Sequence, residues 1–331
     1  MRRVALVLVL ISALLIAFGF WQSRGPARPE PDDPHDVTID IPPFHIYGGA
    51  SLGRQLDISP DGKKIVYAGS LHRGSRCLFI QTIGENAPVE IPGTDVGNRD
   101  IRDPTFSPDG HYIAYWAQGT VRTTTVDGAT VSVFGKATTT RGIAWLSSDT
   151  LVLGNPQGGL LKLGPTGEEA LPLVAPNSSA LPHVSPAVLP GSKAVIFTIV
   201  NGPLVNARIA VVNLETGEER QLFDENAFAP RYVSSGQIVF GRGTTRELAA
   251  VGFDPTKLKI VGSPQPVLKV PISGSGAGGA TDYAISETGV LVYTPFREEG
   301  IYDFVAWFGG LNLPQIHIRL KWFEELNRRV P

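Results

Sequence analysis

The tetrapeptide Ser-Pro-Asp-Gly occurs twice, as Ser59, Pro60, Asp61, Gly62 and as Ser107, Pro108, Asp109, Gly110. Each copy leads into an apolar triplet ending in tyrosine, Ile65-Val66-Tyr67 and Ile113-Ala114-Tyr115. Weaker copies follow: Leu151-Val152-Leu153, Val195-Ile196-Phe197, Ile238-Val239-Phe240 and Leu291-Val292-Tyr293. The last residues of successive triplets are 48, 38, 44, 43 and 53 apart. A period of about 45 residues is that of one four-stranded propeller blade. Proline presets the turn, aspartate caps it locally and glycine supplies positive φ. The strand that follows is apolar on both faces because a blade packs between two neighbours.

Each copy then offers a second apolar strand, "CLFIQTI", "TVRTTTV", "GLLKLG", "RIAVVNL", "ELAAVGF" and "DFVAWF", and mostly a further turn and a short outer strand such as "VEIPG" or "RQLF". The expected fold is therefore an all-β propeller of roughly six blades; an all-β sandwich with accidental regularity is the alternative. Composition agrees: 37 glycines, 27 prolines, 42% apolar and only 18% charged residues suit a packed, turn-rich β protein. A net charge of −2 without a basic block leaves no counterion-displacing surface for nucleic acid.

Ahead of the repeats, Arg2 and Arg3 precede an uncharged run of 18 residues, Val4 to Trp21. As a helix it would reach ~27 Å, close to a bilayer core. Phe18, Phe20 and Trp21 end the run without a convincing cleavage site, so an uncleaved anchor is expected over residues 1–21, with a signal peptide or a buried helix as alternatives. Arg2 and Arg3 favour a cytoplasmic N-terminus, with Arg24 and Arg28 on the other side of the run weakening that preference. Residues 22–40, rich in proline and charge, read as a linker, residues 41–310 as the propeller, and 311–331 as a strand-and-helix tail. In that tail Leu320, Phe323, Leu326 and Val330 fall at helical spacing, with Glu324, Glu325, Arg328 and Arg329 elsewhere on the turn. The helix is expected to pack on the propeller, with presentation to a partner as the alternative, and "QIHIRL" before it to complete an outer blade edge.

The segments "SPDGKKIVYAG", "CLFIQTI" and "DPTFSPDGHYIAYWAQGTVRTTTVDG" resemble the TolB-like, WD40-like (PD40) propeller repeats. With "RGIAWLSSDTLVLGNPQGGLLKL", "GFDPTKLKIVGSPQPV" and "AISETGVLVYTP" in the same order, the chain from Ile39 to Gly310 resembles the extracytoplasmic sensor region of bacterial eukaryotic-type serine/threonine protein kinases. The resemblance departs at both ends. Only three residues precede the apolar run, and the chain has no Gly-rich phosphate loop with a strand lysine, no His-Arg-Asp and no Asp-Phe-Gly, so the parts phosphoryl transfer needs are missing. The family's ending, "IRLKWFEELNRRVP", arrives directly after the sixth copy, which implies shortened C-terminal repeats and leaves ring closure open.

Candidate chemistry is sparse. "GASLG", Gly49 to Gly53, matches the hydrolase elbow around Ser51, but no helix has room to follow it, and a bend entering the first blade is the better reading. Asp61 and Asp109 sit directly before glycine and read as turn formers. His35, His45, His72, His111, His183 and His317 include no pair at metal-ligand spacing, and Cys77 stands alone, so neither a metal site nor a disulfide is expected. Asn177-Ser178-Ser179 reads as a loop despite its sequon, and "SGSGAGG" at 273–279 as a flexible connection. No catalytic, cofactor or metal residue is expected. The functional expectation is a non-catalytic, membrane-anchored, extracytoplasmic protein-interaction or ligand-sensing module, with a protein or peptide partner on its loops. The rivals are a shortened remnant without activity and a propeller hydrolase or lyase with acidic or histidine side chains converging on the channel.

Overall fold

The structure, a computed structural model, describes residues 36–40, 53–72, 75–85, 87–97, 100–174, 181–202, 206–243, 245–274, 281–296 and 315–330. The apolar run from Val4 to Trp21, Ser51, and Asn177 to Ser179 lie outside them. Among the described residues no helix is long and apolar enough to cross a membrane.

Six four-stranded antiparallel sheets make up the fold. Blade one holds β2 (Leu56–Ile58), β3 (Lys64–His72), β4 (Ser75–Thr82) and β5 (Val89–Glu90). Blade two holds β6 (Ile101–Phe106), β7 (Tyr112–Ala117), β8 (Thr120–Thr125) and β9 (Val131–Lys136). Blade three holds β10 (Ile143–Ser147), β11 (Thr150–Leu153), β12 (Leu161–Leu163) and β13 (Leu171–Pro172). Blade four holds β14 (His183–Val188), β15 (Ala194–Ile199), β16 (Arg208–Asn213) and β17 (Glu219–Gln221), and blade five β18 (Ala227–Val233), β19 (Gln237–Arg242), β20 (Leu248–Asp254) and β21 (Lys259–Leu268). Blade six is assembled from both ends of the chain: β22 (Tyr283–Ile285), β23 (Leu291–Tyr293), β24 (Gln315–Arg319) and, outermost, β1 (Asp36–Asp40).

Each repeated triplet is the second strand of its blade, and every residue in the six triplets is at most 3% exposed. The apolar side chains divide into six clusters, one per blade interface. Val66, Leu78 and Tyr115 join blades one and two; Trp116, Trp145 and Leu153 join two and three; Val152, Phe197 and Val212 join three and four. Ile196, Phe240 and Phe253 join four and five; Phe228, Val239 and Tyr283 join five and six; Leu56, Phe79 and Val292 join six and one. The inner strands β2, β6, β10, β14, β18 and β22 touch one another in a circle, so the ring is closed.

Closure uses residues that composition assigns to a linker and to a tail. Asp36–Asp40 is a strand, paired with Gln315–Arg319 in register from Asp36 opposite Arg319 to Asp40 opposite Gln315. "QIHIR" is therefore an interior strand of the sheet, with β1 outside it as the edge. It is also the neighbour of β23; Asp303 to Phe308, expected in that place, lies outside the described residues. Arg319 donates Nε to Asp36 Oδ1 at 2.8 Å and Nη2 to Asp36 Oδ2 at 3.0 Å, a two-pronged pair that fixes the register.

The C-terminal helix, α1 (Trp322–Arg329), packs on the seam between blades five and six. Trp322 and Leu326 are fully buried there, with Tyr283, Leu291 and Tyr293, and Val330 follows them. Trp322 thus occupies the place the helical spacing assigns to Leu320. Glu325, expected on the polar side, is also buried, and accepts from Arg319 Nη1 at 3.1 Å and Arg329 Nη2 at 2.6 Å. Gly289 makes this docking possible: a Cβ there would sit 2.6 Å from the Phe323 ring.

Candidate functional site at the axis

The inner strands have two ends with different chemistry. At one end each strand runs into its turn to the second strand. Ser59 Oγ donates to Asp61 Oδ1 at 2.6 Å, and Asp61 Oδ1 accepts the Lys63 amide at 3.1 Å. In the second turn Ser107 Oγ donates to Asp109 Oδ1, which accepts the His111 amide at 3.0 Å. Gly62 and Gly110 adopt φ of 73° and 74°. These serine and amide hydrogen bonds hold both carboxyls below the usual range. The carboxyls of Asp61 and Asp109 are spent on the turn, which Pro60 and Pro108 shape, and the Pro60 carbonyl also accepts the Glu287 amide of blade six at 3.1 Å. Blade three repeats the device with Ser147 and Asp149, 2.7 Å apart, and blade six substitutes Ser286 and Thr288.

The opposite end, where the inner strands begin, carries the charge. Arg54 donates Nη1 to Asp57 Oδ1 at 2.9 Å and Nη2 to Thr105 Oγ1 at 3.0 Å and to the Pro104 carbonyl at 3.1 Å. Asp57 Oδ2 accepts the Phe106 amide at 2.9 Å. Asp103 accepts the Arg54 amide on Oδ1 at 2.8 Å and the Gly142 amide on Oδ2 at 3.0 Å, tying blade two to both neighbours. Asp282 of blade six accepts the Gln55 amide at 2.8 Å across the seam where the ring closes. Tyr283 donates its hydroxyl to the Ala229 carbonyl at 2.5 Å, linking blades six and five.

Three bulges build this end. The ladder between the first two strands is interrupted between Arg102 and Thr105, Val184 and Ala187, and Phe228 and Arg231. Each interruption holds a non-glycine residue of positive φ followed by proline: Asp103 (55°), Ser185 (52°) and Ala229 (51°). Such a conformation is unfavourable before proline, and it turns the amide out of its own sheet. The amides go instead to the preceding blade: Asp103 to the Arg54 carbonyl, Ser185 to the Arg141 carbonyl, and Ala229 to Thr198 Oγ1 at 2.9 Å. Gly53 completes the arrangement by close approach, because a Cβ there would meet the Asp103 carboxylate at 2.7 Å.

Burial dominates the titration of the cluster. It pushes Asp282 up to about 7, against the Gln55 amide and Arg54, and it also raises Asp103. It pushes Arg231 down to about 10, with Arg54 adding repulsion, so the guanidinium stays cationic at neutral pH. Arg102 leaves the axis for Trp116, stacking 3.8 Å from the ring centroid and pairing with Asp100.

None of these side chains is among the residues that the turn repeat singles out. The repeat directs attention to the strand after the turn, whereas the axial groups lie on the strand before it. The signal was available in "RDPTF", "VSPAV" and "FAPRYV", an X-Pro pair recurring in the inner strands of blades two, four and five. The remaining sequence candidates stand apart. Cys77 is buried and pushed up to about 12. His183 is buried against Phe197 and pushed down to about 4, a neutral core ring. Among the described residues no group of three or more His, Cys, Asp or Glu side chains is placed to hold a metal ion.

No protein-family model matches the sequence, and no curated protein matches it. Solved structures do. The chain is similar to an oligogalacturonate lyase from Vibrio parahaemolyticus at 13% identity, over 87% of this chain and 97% of that one, with a TM-score of 0.54. It is also similar to TolB from Acinetobacter baumannii at 14% identity (69% of this chain, 55% of that one, TM-score 0.47) and to a putative TolB from Agrobacterium tumefaciens at 14% (65% and 75%, TM-score 0.46). At these identities the likeness extends to the propeller fold alone.

Proposed function

We propose that this chain is a non-catalytic binding platform that offers the axial end of its ring to a protein or peptide partner. The observation that carries the reading is where the blades differ from one another. Blades one to three and six share their turn chemistry, while the charged side chains Arg54, Asp57, Asp103, Arg231 and Asp282 gather at the axis. A rigid ring with its variation at one end is how propellers present a surface. The order of segments that resembles the sensor region of receptor kinases fits the same role. In this reading Val4–Trp21 anchors the chain in a bacterial inner membrane with the propeller on the extracytoplasmic side.

A hydrolase or lyase would use the axial carboxylates. Against that, Asp57, Asp103 and Asp282 each hold a backbone amide of a neighbouring blade, which favours a structural duty over general-base work. A degenerate remnant would have lost blade contacts, and the six apolar interfaces argue for a retained role.

Photo-crosslinking side chains placed at Thr138 and Asp224, exposed in the connections that enter the inner strands of blades three and five, test this in cells that make the protein natively. Lys63 and His111, exposed at the turns, are the comparison. One shared adduct from the first pair and none from the second is expected. Adducts from both faces alike, or from neither, would end the platform reading.

A further inference from the structure

We propose that the axial end around Arg231 recognises a single carboxylate group, the planar monoanion of a peptide C-terminus, an acidic side chain or a small organic acid. The proposal deepens the platform reading and rests on it.

Arg231 belongs to β18 of blade five, yet the charges it senses are Arg54 and Asp57 of blade one and Asp103 of blade two, together with Tyr283 of blade six. β18 is also an inner strand of the closed ring, in contact with β14 on one side and β22 on the other, and a side chain of that strand that reaches the charges of blades one and two stands at the axis. There it makes one hydrogen bond, Nη1 to its own neighbour's carbonyl, Pro230 O, at 2.9 Å. Among the described residues no carboxylate pairs with it. A guanidinium has five N–H donors, and Arg231 is half-buried with none of its nitrogens both buried and unpartnered, so its spare donors face solvent.

The nearby carboxylates are not free to serve. Asp57 is held by Arg54 and the Phe106 amide, Asp103 by the Arg54 and Gly142 amides, and Asp282 by the Gln55 amide. What remains is a cation, partly buried and still charged, with most of its donors unassigned. The guanidinium fork matches two carboxylate oxygens, a geometry lysine lacks. Asp57 and Asp103, close enough to influence Arg231, disfavour a dianion such as phosphate and so select for a single negative charge.

The test uses the full chain in mild detergent, with binding read by calorimetry. The probes are propionate, inorganic phosphate, and N-acetyl-tetra-alanine with either a free C-terminus or a C-terminal amide. Binding of propionate or of the free-acid peptide, with phosphate weaker and the amide silent, is the expected result. Equal affinity for propionate and peptide marks the carboxylate itself as the ligand, and preference for the peptide marks a chain terminus. Arg231→Gln should weaken the bound acid at least tenfold. Arg231→Lys, which keeps the charge and loses the fork, should fall between. Arg246→Gln, whose parent side chain lies over Phe296 (4.3 Å to the ring centroid), should change nothing. Binding within twofold of wild type in Arg231→Gln, an amide as good as the acid, or no acid binding by a chain whose circular dichroism shows it folded would each overturn the proposal. Crosslinks at Thr138 and Asp224 that persist in that event leave the platform standing without its carboxylate.

Discussion

The two ends of the inner strands follow opposite rules. At the turn end, Ser59 with Asp61 and Ser107 with Asp109 repeat one hydrogen-bond pattern from blade to blade. At the axial end, the bulge position is Asp103 in one blade, Ser185 in another and Ala229 in a third, on similar backbones with different side chains. Repetition marks what a blade needs in order to be a blade. Departure on a constant backbone marks what a blade contributes to the ring as a whole.

This contrast predicts unequal sensitivity to mutation. Asp103→Ala should be the most damaging change at either end, because it strands two backbone amides, that of Arg54 buried and that of Gly142 partly so. At about 1–3 kcal/mol for each unsatisfied buried group, a loss of roughly 2–6 kcal/mol in urea unfolding is expected. A loss below about 1 kcal/mol would mean that water reaches those amides and that the seam is wet.

Asp282 makes the axial end pH-dependent. Burial raises its folded-state pKa from 3.8 to about 7, so between those values the folded protein holds a proton that the unfolded chain has released. Stability should therefore fall as pH rises from about 4 to about 7 and level off above, by up to about 1.4 kcal/mol per pH unit. Asp103, also raised, contributes with the same sign. Asp282→Asn retains an acceptor for the Gln55 amide and removes its share of the slope; a variant with the wild-type slope would assign the effect elsewhere. The turn carboxylates, with lowered pKa values, behave oppositely, stabilising above their unfolded pKa and losing that effect as the solution is acidified.

At the turn end the expected effects are smaller. Gly62→Ala combines a φ of 73° with a Cβ 2.5 Å from Thr288 Oγ1 on the neighbouring blade, and should cost about 2 kcal/mol. Asp109→Ala removes two turn hydrogen bonds, from Ser107 Oγ and from the exposed His111 amide, and should cost about 1 kcal/mol, read as a lower urea midpoint at constant slope. Should Asp109→Ala prove worse than Asp103→Ala, the division between the two ends would collapse.

The same contrast explains what could be read in the sequence. Blade number and the buried second strands are legible because a propeller imposes one turn and one apolar triplet on every copy. Tyr67, Tyr115 and Phe197 announce themselves through that period. The axial residues do not, since at the bulge one backbone carries Asp103, Ser185 or Ala229 according to the blade. Arg231 looks like an ordinary strand arginine until the ring places blades one and two opposite it. Asp36–Asp40 hides for another reason: with Pro-rich sequence before it, its strand character depends on a partner 283 residues away, Arg319, and local composition cannot reveal that. Trp322 escapes the helical pattern because burial follows the shape of the seam, not the spacing of leucines.

The pairing of β1 with β24 also has a consequence in time. A chain synthesised from its N-terminus completes blades one to five before Gln315–Arg319, the partner of Asp36–Asp40, exists. Until then blade six has neither its third strand nor its outer strand, and the earliest segment of the fold waits for the latest. Early blades can form from local contacts as they emerge, but the final stitch joins the ends of a very long loop and is intrinsically slow. During that interval the interfaces that blade six will cover, Leu56 with Phe79 on one side and Phe228 with Val239 on the other, are open to solvent and to other chains. The propeller is thus most vulnerable to aggregation at the moment it is nearly complete, and a chaperone serving it would be needed at the end of synthesis.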